Sequence, residues 1–163
     1  MATDKMLDHI DEHIIEKLKN NGRTSLTDLS EGSDLSRVAI ANRIEKLQQN
    51  GLLKVSALLN LEKLNYQTLI VELQIANEKK AEFRKMISGC SKVMQAFETA
   101  GQHNHLLICS AKNNNLLRKF VEDVLKKYAT DCKVTLASNP IGAEYVHMKP
   151  GKACADCKKH GVE

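Results

Sequence analysis

The first 52 residues contain three short helical segments, and their start and stop signals constrain the fold more than any other feature of the chain. An apolar stripe at helical spacing runs from Asp8 to about Asn20 and ends in an Asn-Asn-Gly turn. A second segment starts at Ser25, and a third runs from Ser36 to Asn50. Because the last two segments are joined by a tight turn, the pattern predicts a helix-turn-helix module.

The third predicted helix has one apolar and one polar side. At about 100° per residue, Ile40, Ile44 and Leu47 share a narrow sector, which indicates a buried stripe. The other side carries small and hydrogen-bonding side chains that suit base edges and thymine methyl groups in a major groove. The predicted base contacts are Ser36, Arg37, Val38, Ala39 and Asn42, and the predicted phosphate contacts are Arg23, Arg43 and Lys46. The alternative is an ordinary amphipathic helix with a solvated polar face.

The second half of the chain alternates between strand-like and helical patterns. Leu69, Val71, Leu73 and Ile75 alternate with Ile70, Glu72 and Gln74, which predicts a strand with one well-buried face. The later segments are a helix around 78–88, strands near 93–100 and 105–111, a helix over 114–128 and a strand over 133–138. The resulting order βαββαβ predicts a ferredoxin-like domain, so the fold class is α+β. Because helices cover only one face of such a sheet, we expect two copies to pair through the other face.

Composition and charge limit the classes of function. The formal net charge is +4, but residues 1–66 carry nine Lys or Arg against ten Asp or Glu, so DNA contacts must come from a local arrangement. Aromatic residues make up only 4% and Trp is absent, which argues against stacking platforms for single strands. No apolar run approaches the roughly 20 residues of a membrane span, and the acidic N-terminus is unlike a signal peptide. We therefore expect a cytoplasmic protein without membrane contact.

The chain lacks the short motifs that identify common enzyme classes. It contains no GxSxG, Walker, Gly-rich dinucleotide or HExxH pattern. No nucleophile stands at a recognisable spacing from a base. We therefore expect that the protein is not an enzyme.

The C-terminal segment carries a group of potential metal ligands. The candidate ligands are Cys154, Cys157, His160 and His147. Two cysteines three residues apart can hold one zinc or other transition metal ion, and a nearby imidazole adds a ligand. A closed tetrahedral site needs a fourth donor, for which His147, Cys132 or a neighbouring subunit are the alternatives. A reversible dithiol–disulfide switch and an inert tail are also open, while Cys90 and Cys132 themselves suggest structural roles.

The chain closely resembles the leucine-responsive regulatory (Lrp/AsnC) family of transcription regulators over about residues 6–145. The residues that carry the resemblance are Leu7-Asp8-His9-Ile10-Asp11, Gly22-Arg23-Thr24-Ser25-Leu26, Leu35-Ser36-Arg37, Arg43-Ile44-Glu45-Lys46-Leu47, Gly51-Leu52-Leu53, Glu62-Lys63-Leu64-Asn65-Tyr66 and Gly101. The resemblance implies a winged-type helix-turn-helix followed by a RAM/ACT-like βαββαβ domain. It also implies binding to double-stranded DNA as a homodimer, often assembled into tetramers or octamers, and control by a small effector.

The hairpin after the second strand of this domain is where the family places its effector pocket. The residues that the resemblance assigns to this pocket are Gly101, His103, Asn104 and His105. Family members commonly carry an aspartate shortly after the glycine, whereas Asn104 has no carboxylate to pair with an amino group. An effector other than an ordinary amino acid, or none, therefore stays open. The histidines also keep one enzymatic alternative, a tetrapyrrole-binding protein similar to siroheme decarboxylases on the same architecture.

Together these patterns predict four parts of the chain. They are a DNA-binding domain over 1–52, a strand linker over 53–66, an oligomerisation and effector domain over 67–148, and a Cys/His tail over 149–163.

Overall fold

A computed structural model of the chain describes residues 7–138, 145–148 and 154–162. The chain divides into two compact units, Met1–Ala57 and Leu58–Glu163. In the described part of the chain, no helix has the length and apolarity that a membrane span requires.

The first unit contains the three predicted helices. They are α1 (His9–Asn20), α2 (Leu26–Ser30) and α3 (Arg37–Gln49). The side chains of Asp8, Ser25 and Ser36 cap their N-termini, each accepting a hydrogen bond from a backbone N–H of the first turn. Ile14, Leu29, Ile40 and Leu47 form the buried core of this unit. The predicted helix-turn-helix is therefore confirmed.

The second unit contains a four-stranded antiparallel sheet and a separate two-stranded one. Its elements are β1 (Leu58–Asn60), β2 (Gln67–Ile75), α4 (Lys80–Ser88), β3 (Val93–Glu98), β4 (His105–Ala111), α5 (Asn114–Lys119), β5 (Ala129–Ala137), β6 (Tyr145–His147) and α6 (Ala155–Lys159). The large sheet has the strand order β3-β4-β2-β5, while β1 pairs with β6. The sequence order β2-α4-β3-β4-α5-β5 is the predicted βαββαβ arrangement, so the fold class is confirmed.

Helices cover one face of the large sheet, as the alternation in β2 requires. Leu69, Val71, Leu73 and Ile75 are buried in one core with apolar side chains of α4 and α5. The intervening residues, such as Ile70, remain partly exposed on the opposite face. This alternation buries one row of side chains and leaves a second row uncovered in the single chain.

Two element boundaries differ from the sequence expectation. The continuous helix predicted over 114–128 ends as an α-helix at Lys119 and continues as a π-helical turn, Phe120–Val124, and a 3-10 turn, Leu125–Lys127. The change of helical period keeps Phe120, Val121 and Val124 buried. Strand β5 starts at Ala129 rather than Lys133, because pairing with β2 extends as far as Ile75 across a register shift.

The described part of the C-terminal segment is packed against the second unit. Cys157 and Val162 are fully buried in its core. The Tyr128 hydroxyl donates a hydrogen bond of 2.9 Å to the Asp156 carboxylate. Residues 154–162 are thus part of the folded second unit.

Candidate nucleic-acid interface and cysteine cluster

The outer face of α3 is exposed and rich in hydrogen-bonding groups. Ser36, Arg37, Asn42 and Lys46 are exposed, and Ala39 is half-buried. The Val38 side chain is 70% exposed, so its two methyl groups are accessible beside these polar groups. The arrangement offers hydrogen bonds and an apolar contact from the first turns of one helix, as major-groove readout requires.

The inner face of α3 fixes the orientation of this surface. Ile40 is fully buried and Leu47 is 4% exposed, so one side of the helix is held in the core of the first unit. The Ser36 hydroxyl accepts a hydrogen bond of 3.2 Å from the Ala39 N–H and sets the start of the helix. The polar side chains therefore project from a rigid element.

Arg43 is held by carboxylates of α1, whereas the sequence predicted a phosphate contact. Its Nη1 lies 2.7 Å from Asp8 Oδ2 and 2.8 Å from Asp11 Oδ1. These hydrogen bonds raise the pKa of Arg43. The Asp11 N–H, followed by the Arg43 guanidinium, lowers the pKa of the Asp8 carboxyl. Arg43 therefore joins α1 to α3, whereas the side chains of Arg23 and Lys46 are exposed.

The effector-site prediction falls on the hairpin between β3 and β4. Gly101, His103 and His105 line a cleft of about 290 Å³ together with Glu72 and Lys133. His103 Nε2 lies 3.1 Å from Asp131 Oδ2, and Lys133 Nζ lies 2.8 Å from Glu72 Oε1. The cleft thus places a carboxylate, from Glu72, and an ammonium group, from Lys133, beside the imidazole of His103.

Asn104 is engaged with the backbone of β2. Its Oδ1 accepts a hydrogen bond of 2.9 Å from the Ile75 N–H, and its Nδ2 donates one of 2.8 Å to the Ile75 carbonyl. The neighbouring His105 is buried with its ring edge-to-face against Phe83, and this burial lowers the pKa of the imidazole. Both side chains therefore contribute to the packing at this end of the sheet.

Three cysteines from two distant parts of the sequence meet in the second unit. The sulfur atoms of Cys90, Cys154 and Cys157 lie within 4.8 Å of one another, and the Cys90 and Cys157 sulfurs are 3.7 Å apart. The hydrogen bond between these two thiols lowers the pKa of Cys90 and, with burial, raises the pKa of Cys157. Such a group can bind a thiophilic metal ion.

The composition of this cluster differs from the predicted ligand set. Cys154 and Cys157 belong to it as predicted, but the third member is Cys90, which the sequence suggested was merely structural. No spacing motif indicates Cys90, because it precedes Cys157 by 67 residues. The imidazole of His160 contacts the Lys127 amine, and His147 lies in β6 paired with β1. Neither histidine belongs to the cluster.

Comparisons with known proteins agree with this architecture. Residues 7–48 match the AsnC-type helix-turn-helix domain. An uncharacterized HTH-type transcriptional regulator of Pyrococcus furiosus is 30% identical over 139 residues, which is 80% of this chain and 90% of that protein. The chain belongs to the Lrp/AsnC family of transcription regulators. The regulator FL11 of Pyrococcus abyssi is also 30% identical, over 71% of this chain and 78% of its own.

Solved Lrp/AsnC-type structures share the fold of both units. A transcriptional regulator of Neisseria meningitidis, in complex with L-Met, matches with a TM-score of 0.74 at 24% identity, over 89% of this chain and 97% of that one. These relatives and the N. meningitidis protein are transcription regulators. The tetrapyrrole alternative therefore receives no support.

Proposed function

We propose that this Lrp/AsnC protein regulates transcription by inserting α3 into the major groove of specific double-stranded DNA sites. The observation that carries the proposal is the exposed outer face of α3, which is held outward by the buried Ile40 and Leu47. Ser36, Arg37, Val38, Ala39 and Asn42 meet base edges, while Arg23 and Lys46 meet phosphates. Arg43 stabilises the first unit through its ion pairs with Asp8 and Asp11.

The test is a comparison of two α3 variants on a preferred and a random duplex. Replacing Asn42 with Ala should weaken binding to the preferred site by about 1–3 kcal/mol, or roughly 5- to 150-fold, if its amide pairs with a base. Gln48, which is exposed on the same helix, supplies the matched control Gln48→Ala. An equal loss on random duplex would show that Asn42 contacts only the backbone. No loss on either duplex would remove Asn42 from the interface.

We further propose that two copies pair through the uncovered face of the large sheet. Ile70, Ile108 and Leu106 are partly exposed on this face, and Phe97 is 49% exposed. Apolar side chains in adjacent strands form the kind of patch that a self-complementary interface covers. A homodimer presents two recognition helices, so its operator should be roughly palindromic with half-sites one helical turn, or a multiple of it, apart.

Sedimentation equilibrium tests this dimer. Phe97→Lys should shift the protein toward the monomer, whereas Lys85→Ala, a change at an exposed residue of α4 away from the uncovered face, should not. An unchanged mass for Phe97→Lys would place the dimer contact elsewhere.

The hairpin cleft is the proposed position for a small effector. The N. meningitidis regulator, which was solved with L-Met, motivates a search among zwitterionic ligands. In this chain Glu72 and Lys133 supply opposite charges at the cleft, and His103 adds a hydrogen-bonding group. Calorimetric titration of L-Met and other amino acids tests this, with His103→Ala expected to lose binding and the neighbouring Gln102→Ala expected to lose less.

Finally, we propose that the cysteines of the C-terminal segment make DNA affinity respond to metal or redox state. Cys154 and Cys157 lie in a cluster that can hold a metal ion. DNA affinity is compared between the wild type and a Cys154→Ser, Cys157→Ser protein, with zinc or an oxidant added. Identical responses of the two proteins would contradict this proposal.

A further inference from the structure

We infer that Cys90, Cys154 and Cys157 form a three-thiolate site for a thiophilic metal ion such as Zn²⁺, with one coordination position left open. The inference rests on the proposed metal response of the C-terminal segment and specifies its ligands, but it does not depend on DNA binding. It adds Cys90 to the site and removes both histidines from it.

The distances between the sulfur atoms suit a metal ion better than a disulfide. A Zn–S bond of about 2.3 Å places two sulfurs of a tetrahedral site about 3.8 Å apart. The Cys90 and Cys157 sulfurs are 3.7 Å apart, and all three sulfurs lie within 4.8 Å of one another. A disulfide would require a separation of about 2.05 Å. The separation of the Cys90 and Cys157 sulfurs therefore matches one edge of a metal-centred tetrahedron, and Cys154 lies close enough to complete a face of it.

The fold holds these sulfurs close together through contacts that do not involve a metal. Cys90 follows the C-cap of α4 and is fully buried, as is Cys157 in α6. The Val162 N–H donates a hydrogen bond of 2.8 Å to the Cys157 carbonyl, and the Tyr128 hydroxyl bonds to the Asp156 carboxylate in the same helix. Because α6 is already docked, little reorganisation is needed when a metal ion binds.

One coordination position remains open. Among the residues that the structure describes, no fourth His, Cys, Asp or Glu joins the cluster. Cys154 is half-buried, whereas the other two thiols are fully buried, so access is from the Cys154 side. Three protein ligands and one exchangeable ligand are the arrangement of a metal site that stays accessible to water or to a small thiol.

The first test uses the wild-type protein and needs no substitution. Because Cys90 and Cys157 are fully buried, the reduced full chain is alkylated over a time course in mild urea, below its unfolding transition, with and without Zn²⁺. The rate of modification of each cysteine is measured by mass spectrometry. Zinc should protect Cys90, Cys154 and Cys157 together, while the half-buried Cys132, which lies outside the cluster, is modified equally in both samples. Protection of only Cys154 and Cys157 would overturn the inference, and so would equal modification of all three with and without zinc.

The second test measures zinc affinity in variants of the full chain by competition with a chromophoric chelator. Cys90→Ser and Cys90→Ala should each weaken binding by more than about 100-fold, since loss of even an outer-shell partner costs about 10- to 100-fold. Cys132→Ser and His160→Ala should bind zinc as the wild type does. Far-UV circular dichroism confirms that each variant is folded.

The outcomes of these experiments distinguish failure of the proposed metal site from failure of the proposed regulation of DNA binding. Wild-type affinity in the Cys90 variants, or lost affinity in His160→Ala, would overturn the three-thiolate site. Zinc binding that requires all three cysteines but leaves DNA affinity unchanged would uphold the site and contradict only the metal response of DNA binding. Failure of the site and failure of the regulator are therefore distinguishable.

Discussion

The side chain of Asn104 is predicted to stabilise the sheet domain rather than to bind an effector. The last residue pair of the β2–β4 ladder is Leu73 with His105, and the Asn104 side chain provides two further hydrogen bonds beyond it, both to the backbone of Ile75. Its carboxamide thus takes the place of a peptide group at the end of the ladder. Asn104→Ala removes both hydrogen bonds, together with the contact of 2.7 Å between Asn104 Oδ1 and His105 Nδ1, and leaves two backbone groups of a buried residue without these partners.

The size of the effect follows from these two hydrogen bonds. A buried group that loses its partner costs about 1–3 kcal/mol. Asn104 is partly buried, so water can reach part of the vacated space and the lower half of that range applies to each bond. We therefore expect Asn104→Ala to lower the free energy of unfolding of the second unit by about 2–4 kcal/mol.

Tyrosine fluorescence during urea unfolding measures this loss in the correct unit. All three tyrosines lie in the second unit and the chain has no Trp, so the signal does not report on the helix-turn-helix. Gln102→Ala, an exposed change in the same hairpin, is the control and should stay within about 0.5 kcal/mol of the wild type. Equal stability of the two variants would refute the reasoning and leave Asn104 available to a ligand.

Three further changes test other parts of the structure. Lys46→Ala should weaken binding to all duplexes alike and reduce the salt dependence of the affinity by about one counterion; selective loss on the preferred site would contradict a phosphate role. Arg43→Gln should speed amide hydrogen exchange in α1, because it removes the ion pairs to that helix; unchanged exchange with weaker DNA binding would restore its phosphate role. Burial lowers the pKa of His105 from 6.5, so the unfolded chain takes up this proton first and the stability of the second unit should fall as the pH drops below about 6.5. Urea unfolding across this range should show a flatter profile for His105→Gln, and an equal slope in both proteins would contradict the assignment.

Most of the fold could be predicted from patterns among residues that are close together in the sequence. The helix starts at Ser25 and Ser36 and the alternation in β2 depend on neighbouring residues, so they can be predicted from a short window of sequence. The π-helical turn from Phe120 could not be predicted in this way. The apolar stripe there fits an α-helix equally well, and the residues of the turn are buried in the core of the second unit.

The candidate sites depend on contacts between distant residues, and prediction was weaker there. The exposure of Val38 and Asn42 follows from helical spacing within α3. The ion pairs of Arg43 and the position of Cys90 beside Cys157 arise only when segments far apart in sequence meet. No periodicity or motif in a single sequence encodes such contacts. The sequence therefore predicted a phosphate contact for Arg43 and a structural role for Cys90.

The central claim is that the outer face of α3 reads DNA sequence. Selection of preferred sites from a random duplex pool, carried out in parallel with the wild type and with Val38→Ala, tests it most directly. Because the Val38 side chain is 70% exposed, truncating it should leave the fold intact and change the selected base at symmetric positions of the site. The same consensus, bound with the same affinity by both proteins, would contradict the account.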